Sequence, residues 1–184
     1  MNQKQFPLKC RYHIDPTIYK DYGLPKIYDV IFYGSTTKYV YPLRFRIKTL
    51  LKKSHLKVLI IEQSSKYNIN NCGIGLAKKI NQSWLGVVTT SNFDYLVGKY
   101  FEISGCNTCL VGNMNEQGKS IWGNNYVNID QSMSDEQIIS VIRNALEDKQ
   151  GLSAMSNRMY QLMHTNYTTQ QHKSKLYELV KSLK

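Results

Sequence analysis

Tyr28-Asp-Val-Ile-Phe-Tyr-Gly-Ser35, followed after a short gap by Tyr41-Pro-Leu-Arg44, is the stretch on which the fold turns. Tyr28 to Tyr33 is rich in β-branched and aromatic residues and is closed by Gly34, the pattern of a buried strand. The segment from Tyr41 to Lys53 then takes a helical spacing, with Pro42 at a position where a helix tolerates it. Leu56 to Glu62 follows as a nearly continuous apolar strand, which implies burial on both faces. Strand, helix and strand in that order predict an α/β domain built on a parallel sheet.

The alternation continues outward. Gln63 to Asn71 reads as a polar loop, Gly75 to Gln82 as a helix, Trp84 to Thr89 as a third strand and Asp94 to Cys106 as a further helix. Thr108 to Val111 and Tyr126 to Ile129 complete about five strands, with room for only a short turn at Glu116 to Trp122. Ser134-Asp-Glu-Gln137 is a capping box opening the helix Ile138 to Asp148. Two more helices, Leu152 to His164 and Thr168 to Leu183, end the chain, the first with a Leu and Met stripe that reads as core. Residues 1–26, with three prolines and little periodicity, read as an extended arm, leaving 27–184 as one domain.

Asp94-Tyr-Leu-Val-Gly-Lys-Tyr-Phe-Glu102 carries the most chemistry. In a helix starting near Asp94, the two carboxylates fall within about 80° of one another and ~12 Å apart, with Gly98 and Lys99 between them. Unpaired N–H groups of the first turn then attract an anion. Gly34-Ser35-Thr36-Thr37 is a second small-residue turn able to meet one phosphate, and Arg44 just beyond it offers a bidentate guanidinium. Neither a P-loop nor a G-x-G-x-x-G pattern is present, so ATP hydrolysis and dinucleotide redox chemistry are disfavoured.

Charge is distributed unevenly. Residues 1–57 hold twelve Lys/Arg against three Asp, and the remainder twelve against ten, so most of the net +11 sits in the first third. Lys38, Arg44, Arg46, Lys48, Lys52, Lys53 and Lys57 place a basic face by the first helix, which speeds encounter with polyanions. Fourteen tyrosines and 42% hydrophobic residues exclude a disordered chain. The longest aliphatic run, Val58 to Ile61, is too short to span a bilayer and no signal-peptide pattern opens the chain, which predicts a soluble, cytoplasmic protein without a transmembrane segment. Cys106 and Cys109 form a lone C-x-x-C with no second ligand pair, so reduced thiols and no metal site are expected.

Five ordered motifs resemble the nucleotide-sugar-binding half of a GT-B glycosyltransferase, most closely the group-1 transferases of the spore-maturation (CgeB) type. They are His13-Ile-Asp-Pro16, Tyr28 to Ser35, Tyr41-Pro-Leu-Arg44, Leu76-Ala-Lys-Lys-Ile-Asn-Gln-Ser83 and Lys99-Tyr-Phe-Glu-Ile-Ser-Gly-Cys106. The resemblance implies a Rossmann-like sheet as a single GT-B half-domain, with Glu102 toward ribose hydroxyls and Asp94 toward the sugar. Gly34, Ser35, Arg44, Gly98 and Lys99 fall at the diphosphate. The chain departs from the family in the shorter Asp94 and in Asn107, where the family has glycine; Asn tolerates a left-handed helix end.

What the resemblance implies is binding of a nucleotide diphosphate sugar for metal-independent glycosyl transfer, with no cofactor. The acceptor domain would come from a separate chain or a homo-oligomer partner, and no catalytic residue is identified. Two alternatives remain: a non-catalytic nucleotide-sugar or interaction module, and a basic nucleic-acid-binding α/β domain. The second lacks any RRM, KH or zinc-finger signature.

Overall fold

In β1 (Tyr28–Tyr33) successive side chains point to opposite faces, Val30 and Phe32 to one and Ile31 and Tyr33 to the other, and all four are buried. Such a strand needs neighbours on both edges and cover on both faces. The computed structural model, which describes residues 12–62 and 68–182, supplies both. β1 pairs in parallel with β2 (Val58–Ile61) and β3 (Ser83–Val88), and β3 continues to β4 (Cys109–Gly112) and β5 (Val127–Asn128). The sheet is five-stranded and parallel, in the order β2-β1-β3-β4-β5.

Seven α-helices occur among the described residues: α1 (Pro42–Lys53), α2 (Gly73–Asn81), α3 (Lys99–Gly105), α4 (Glu116–Trp122), α5 (Asp135–Glu147), α6 (Lys149–Asn166) and α7 (Thr169–Ser182). Leu43, Ile47 and Leu51 of α1 and Ile138 and Ile142 of α5 cover the face that carries Val30, Phe32 and Val87. Leu76 and Ile80 of α2, Tyr100, Phe101 and Ile103 of α3, and Met159 and Met163 of α6 cover the other. The α/β, Rossmann-like layering read from the sequence is the architecture observed, and the Leu/Met stripe of α6 is core.

Some boundaries differ for physical reasons. β2 is shorter than expected and only half-buried, because it is an edge strand and not one covered on both sides. Glu116–Trp122 is a helix and not a turn: the Asn115 side chain accepts from Gly118 N at 2.9 Å, capping its N-terminus, and Trp122 buries completely. Of the polar loop expected at Gln63 to Asn71, residues 63–67 lie outside the described residues and Ile69–Asn71 forms one 3₁₀ turn. The Ser134 capping box is present as read.

Residues 1–11 of the predicted arm also lie outside the described residues. The rest of it is tied down. Ile14 is buried, and Ile14 N and Ile14 O bond Tyr167 O and Thr169 N, each at 2.8 Å. Asn81, the asparagine of the Leu76 to Ser83 motif, accepts from Tyr22 N and Leu24 N and donates to Asp21 Oδ1 and Cys106 O. Asn107 adopts φ +53° just after α3, the left-handed helix end anticipated for it.

Candidate functional site

In an open parallel sheet the crevice for a ligand lies beyond the carboxyl ends of the strands, where the strand order reverses. In the order β2-β1-β3 that point is between β1 and β3. The chain leaves β1 through Gly34 and Ser35 and leaves β3 through Thr89 and Thr90. Gly34 has φ +84°, a conformation that favours glycine, and a side-chain carbon there would collide with Lys99, its Cε lying 2.6 Å away.

Three charged side chains converge here. Lys99 Nζ donates to the Tyr33 carbonyl and stands 4.6 Å from the centroid of the Tyr33 ring. Burial brings its pKa down to about 7; the Arg44 charge pushes the same way and Glu102 opposes. Glu102 accepts a 3.0 Å hydrogen bond from Tyr33 Oη, with the Tyr19 hydroxyl also in bonding reach. Burial raises the Glu102 pKa, while the Tyr33 bond, the Lys99 charge and the Tyr19 bond hold it back. Arg44 is 2% exposed, donates to Thr89 O at 2.6 Å and Ser35 O at 3.4 Å, and stacks on Tyr41 with 4.0 Å to the ring centroid. It thus staples the two loops of the switch point, while its Nε and the Thr89 hydroxyl remain buried without a hydrogen-bond partner.

Of the seven residues read from the sequence as the site, Gly34 lies against Lys99, the Ser35 carbonyl accepts from Arg44, and Gly98 lies beside Glu102. Asp94 does not join them through a helix. α3 begins at Lys99, and Asp94 is exposed in the preceding loop at φ +50°, its carbonyl accepting from Asn115 Nδ2. The two-turn spacing of the carboxylates is therefore corrected. Apolar Leu96 buries in the core and pulls the segment out of helical register before Gly98. Three N–H groups at the start of the helix are not open to an anion either: Tyr100 N bonds Val97 O, and both Phe101 N and Glu102 N bond Gly98 O.

Part of the basic face is ion-paired. Arg46 pairs with Asp135 at 2.5 Å, Lys48 and Lys52 both reach Glu62, and Lys38, Arg46 and Lys53 border a groove between α1 and α5. Sequence reasoning missed Tyr19, Tyr33 and Thr89 as site residues. Tyr33 lay inside a quoted motif but counts as strand core by its spacing, and Tyr19 is brought in by an arm that shows no periodicity. Cys106 and Cys109 are buried free thiols whose pKa values are pushed up by burial, the latter to about 12. Among the described residues no group of three or more His, Cys, Asp or Glu could hold a metal ion, and no helix is long and apolar enough to cross a membrane.

No family model and no curated protein sequence matches the chain. Solved structures do. A sucrose-phosphate synthase from Thermosynechococcus elongatus superposes with a TM-score of 0.64 at 13% identity, over 94% of this chain and 51% of that one. A GtfA/B complex gives 0.60 at 14% identity, over 92% of this chain and 39% of its own. The N-terminal domain of a Candida albicans trehalose-6-phosphate phosphatase gives 0.51 at 10% identity, over 80% and 33%. The fold is that of a GT-B-like half-domain, and the chain spans about half or less of the structures it matches.

Proposed function

We propose that the chain is the donor-binding half of a glycosyltransferase of the spore-maturation type that its motifs resemble, and that the β1/β3 crevice receives a nucleotide diphosphate sugar. The observation that carries this is the half-buried Glu102 carboxylate held by Tyr33 beside the Lys99 ammonium, at the switch point of the sheet. A carboxylate in that setting accepts from the hydroxyls of a ribose, and an adjacent ammonium over a bare glycine receives a diphosphate. The Ser35 and Thr36 amides, which find no acceptor among the described residues, are further donors on the diphosphate side. Asp94 serves as a sugar contact from the loop rim, and Gly98 keeps the approach to Glu102 free of a side chain.

In transfer, the bond from the anomeric carbon to the diphosphate oxygen breaks, and negative charge grows on the leaving group. Lys99, the loop amides and the nearby Arg44 are placed to stabilise that charge. Transfer also needs an acceptor site and a catalytic base beside the donor, since orienting both substrates supplies about 7–11 kcal/mol of barrier reduction.

Calorimetric titration with a panel of nucleotide sugars tests the reading. Binding is expected, and Glu102→Gln is expected to weaken it by roughly 1.5–3 kcal/mol, the range for a hydrogen bond to a charged group. Absence of heat and of thermal shift with every member at millimolar concentration refutes it.

A further inference from the structure

The N-terminal arm, which the sequence sets apart from the domain, brings a second aromatic ring to the crevice. Tyr12 is 48% exposed and packs one side against Phe101, with ring centroids 6.0 Å apart and a 40° tilt. Gly98 lies between Tyr12 and Glu102. A side-chain carbon added there would stand 3.6 Å from Tyr12 Cδ1 and 3.6 Å from Glu102 Oε1. The ring and that carboxylate oxygen therefore border one small space above a backbone that carries no side chain. Glu102 Oε2 accepts from Tyr33, and Oε1 is the oxygen that borders this space.

The ring is fixed in place by its neighbours. One residue on, His13 stacks on His172 of α7 at 4.4 Å, and the next, Ile14, is buried and bonded on both sides to the 167–169 segment. An exposed ring anchored in this way loses little freedom when a ligand lies on it.

We propose that Tyr12 is a stacking platform for the base of the nucleoside whose ribose Glu102 receives. The inference rests on the nucleotide-sugar reading of the crevice and adds to it that the arm is part of the site. A stack on a phenol tolerates every base, since each has a flat face. The platform therefore discriminates a nucleoside diphosphate from bare diphosphate more than one base from another.

The test is titration of the full chain with uridine diphosphate, guanosine diphosphate and inorganic pyrophosphate, for the wild type, Tyr12→Ala, Tyr12→Leu and Tyr12→Trp. Tyr12→Leu keeps the apolar contact with Phe101 while removing the ring, so a folding defect in Tyr12→Ala does not blunt the test. The expected result is about a tenfold or greater loss for both nucleoside diphosphates in Tyr12→Leu, pyrophosphate unchanged, and affinity kept in Tyr12→Trp. Equal losses for pyrophosphate and nucleoside diphosphates, or no loss in Tyr12→Leu, overturn the platform and leave the nucleotide-sugar reading standing. A wild type that binds neither nucleoside diphosphate overturns both.

Discussion

Lys99 makes ligand binding a proton-coupled event. In the free chain its pKa is brought down to about 7 because the ammonium is buried and faces the Arg44 guanidinium, with only Glu102 in opposition. At pH 8 a group with that pKa is about one-tenth protonated. A diphosphate beside it favours the charged form and restores the proton, so binding at pH 8 takes up close to one proton, about 0.9. At pH 6 the site is already about nine-tenths protonated, and the uptake falls to ~0.1. Calorimetry in buffers of different ionisation enthalpy measures the number directly, and a nucleotide sugar is the right ligand because its diphosphate has no terminal ionisation near neutrality. The same shift governs stability. The unfolded chain, with Lys99 near 10.5, binds more protons than the folded one between pH of about 7 and 10.5, so stability rises with pH across that window. The penalty is complete below it, and the Lys99 contribution is up to ~1.4 kcal/mol per pH unit. Lys26, lowered to about 8 by burial, adds a slope in part of the same range, so the Lys99→Met variant is the control. Binding heats at pH 8 that do not depend on the buffer, or an uptake that survives in Lys99→Met, refute the reasoning.

Gly112→Ala is expected to unfold the chain or cost more than about 4 kcal/mol in urea titration. Gly112 has φ +149°, and a methyl group there would sit on the Val88 carbonyl, a backbone group of the adjacent strand that cannot swing away. Asn81→Ala removes four hydrogen bonds that hold the arm to α2 and to the end of α3, a loss of roughly 2–4 kcal/mol, and limited proteolysis then cuts near residues 20–26 faster than in the wild type. Ser134→Ala removes the hydroxyl that accepts from Gln137 N, one of the two bonds of the α5 capping box, and lowers stability by about 1 kcal/mol, read as a drop in melting temperature.

The fold was legible where one local signal sufficed. β1 declares itself through β-branched residues and a closing glycine, α5 through its capping box, and α6 through apolar residues at helical spacing. The errors have the same origin as the successes. β2 is as apolar as β1, but apolarity alone does not separate an edge strand from a central one, since that depends on which strands pair. α4 is short and polar, and its stability comes from the Asn115 cap and from Trp122, whose indole N–H reaches Ser104 Oγ at 2.9 Å from another helix. The segment from Asp94 to Gly98 reads as helix from the spacing of its flanking carboxylates, but Asp, Tyr, Val and Gly are weak helix formers, and the buried Leu96 and the left-handed turn at Asp94 hold it as a loop.

The sequence offers the candidate site as a set of residue types and not as a geometry. Lys99 and Glu102 sit one helical turn apart in sequence, yet the group that organises them is Tyr33, 69 positions from Glu102 and 66 from Lys99. One tyrosine offers its hydroxyl to the carboxylate and its carbonyl to the ammonium. The pair is therefore held at a fixed separation without a mutual ion pair, and each keeps part of its bonding capacity for something else. Arg44 and Thr89, 45 positions apart, close the other wall in the same manner. A chain that needed these charges only for its own stability would let Lys99 neutralise Glu102 directly, which costs less than keeping both desolvated on separate partners. Their separation, at the point of the sheet where the strand order reverses, suits the proposed ligand, which bears both hydroxyls and a diphosphate.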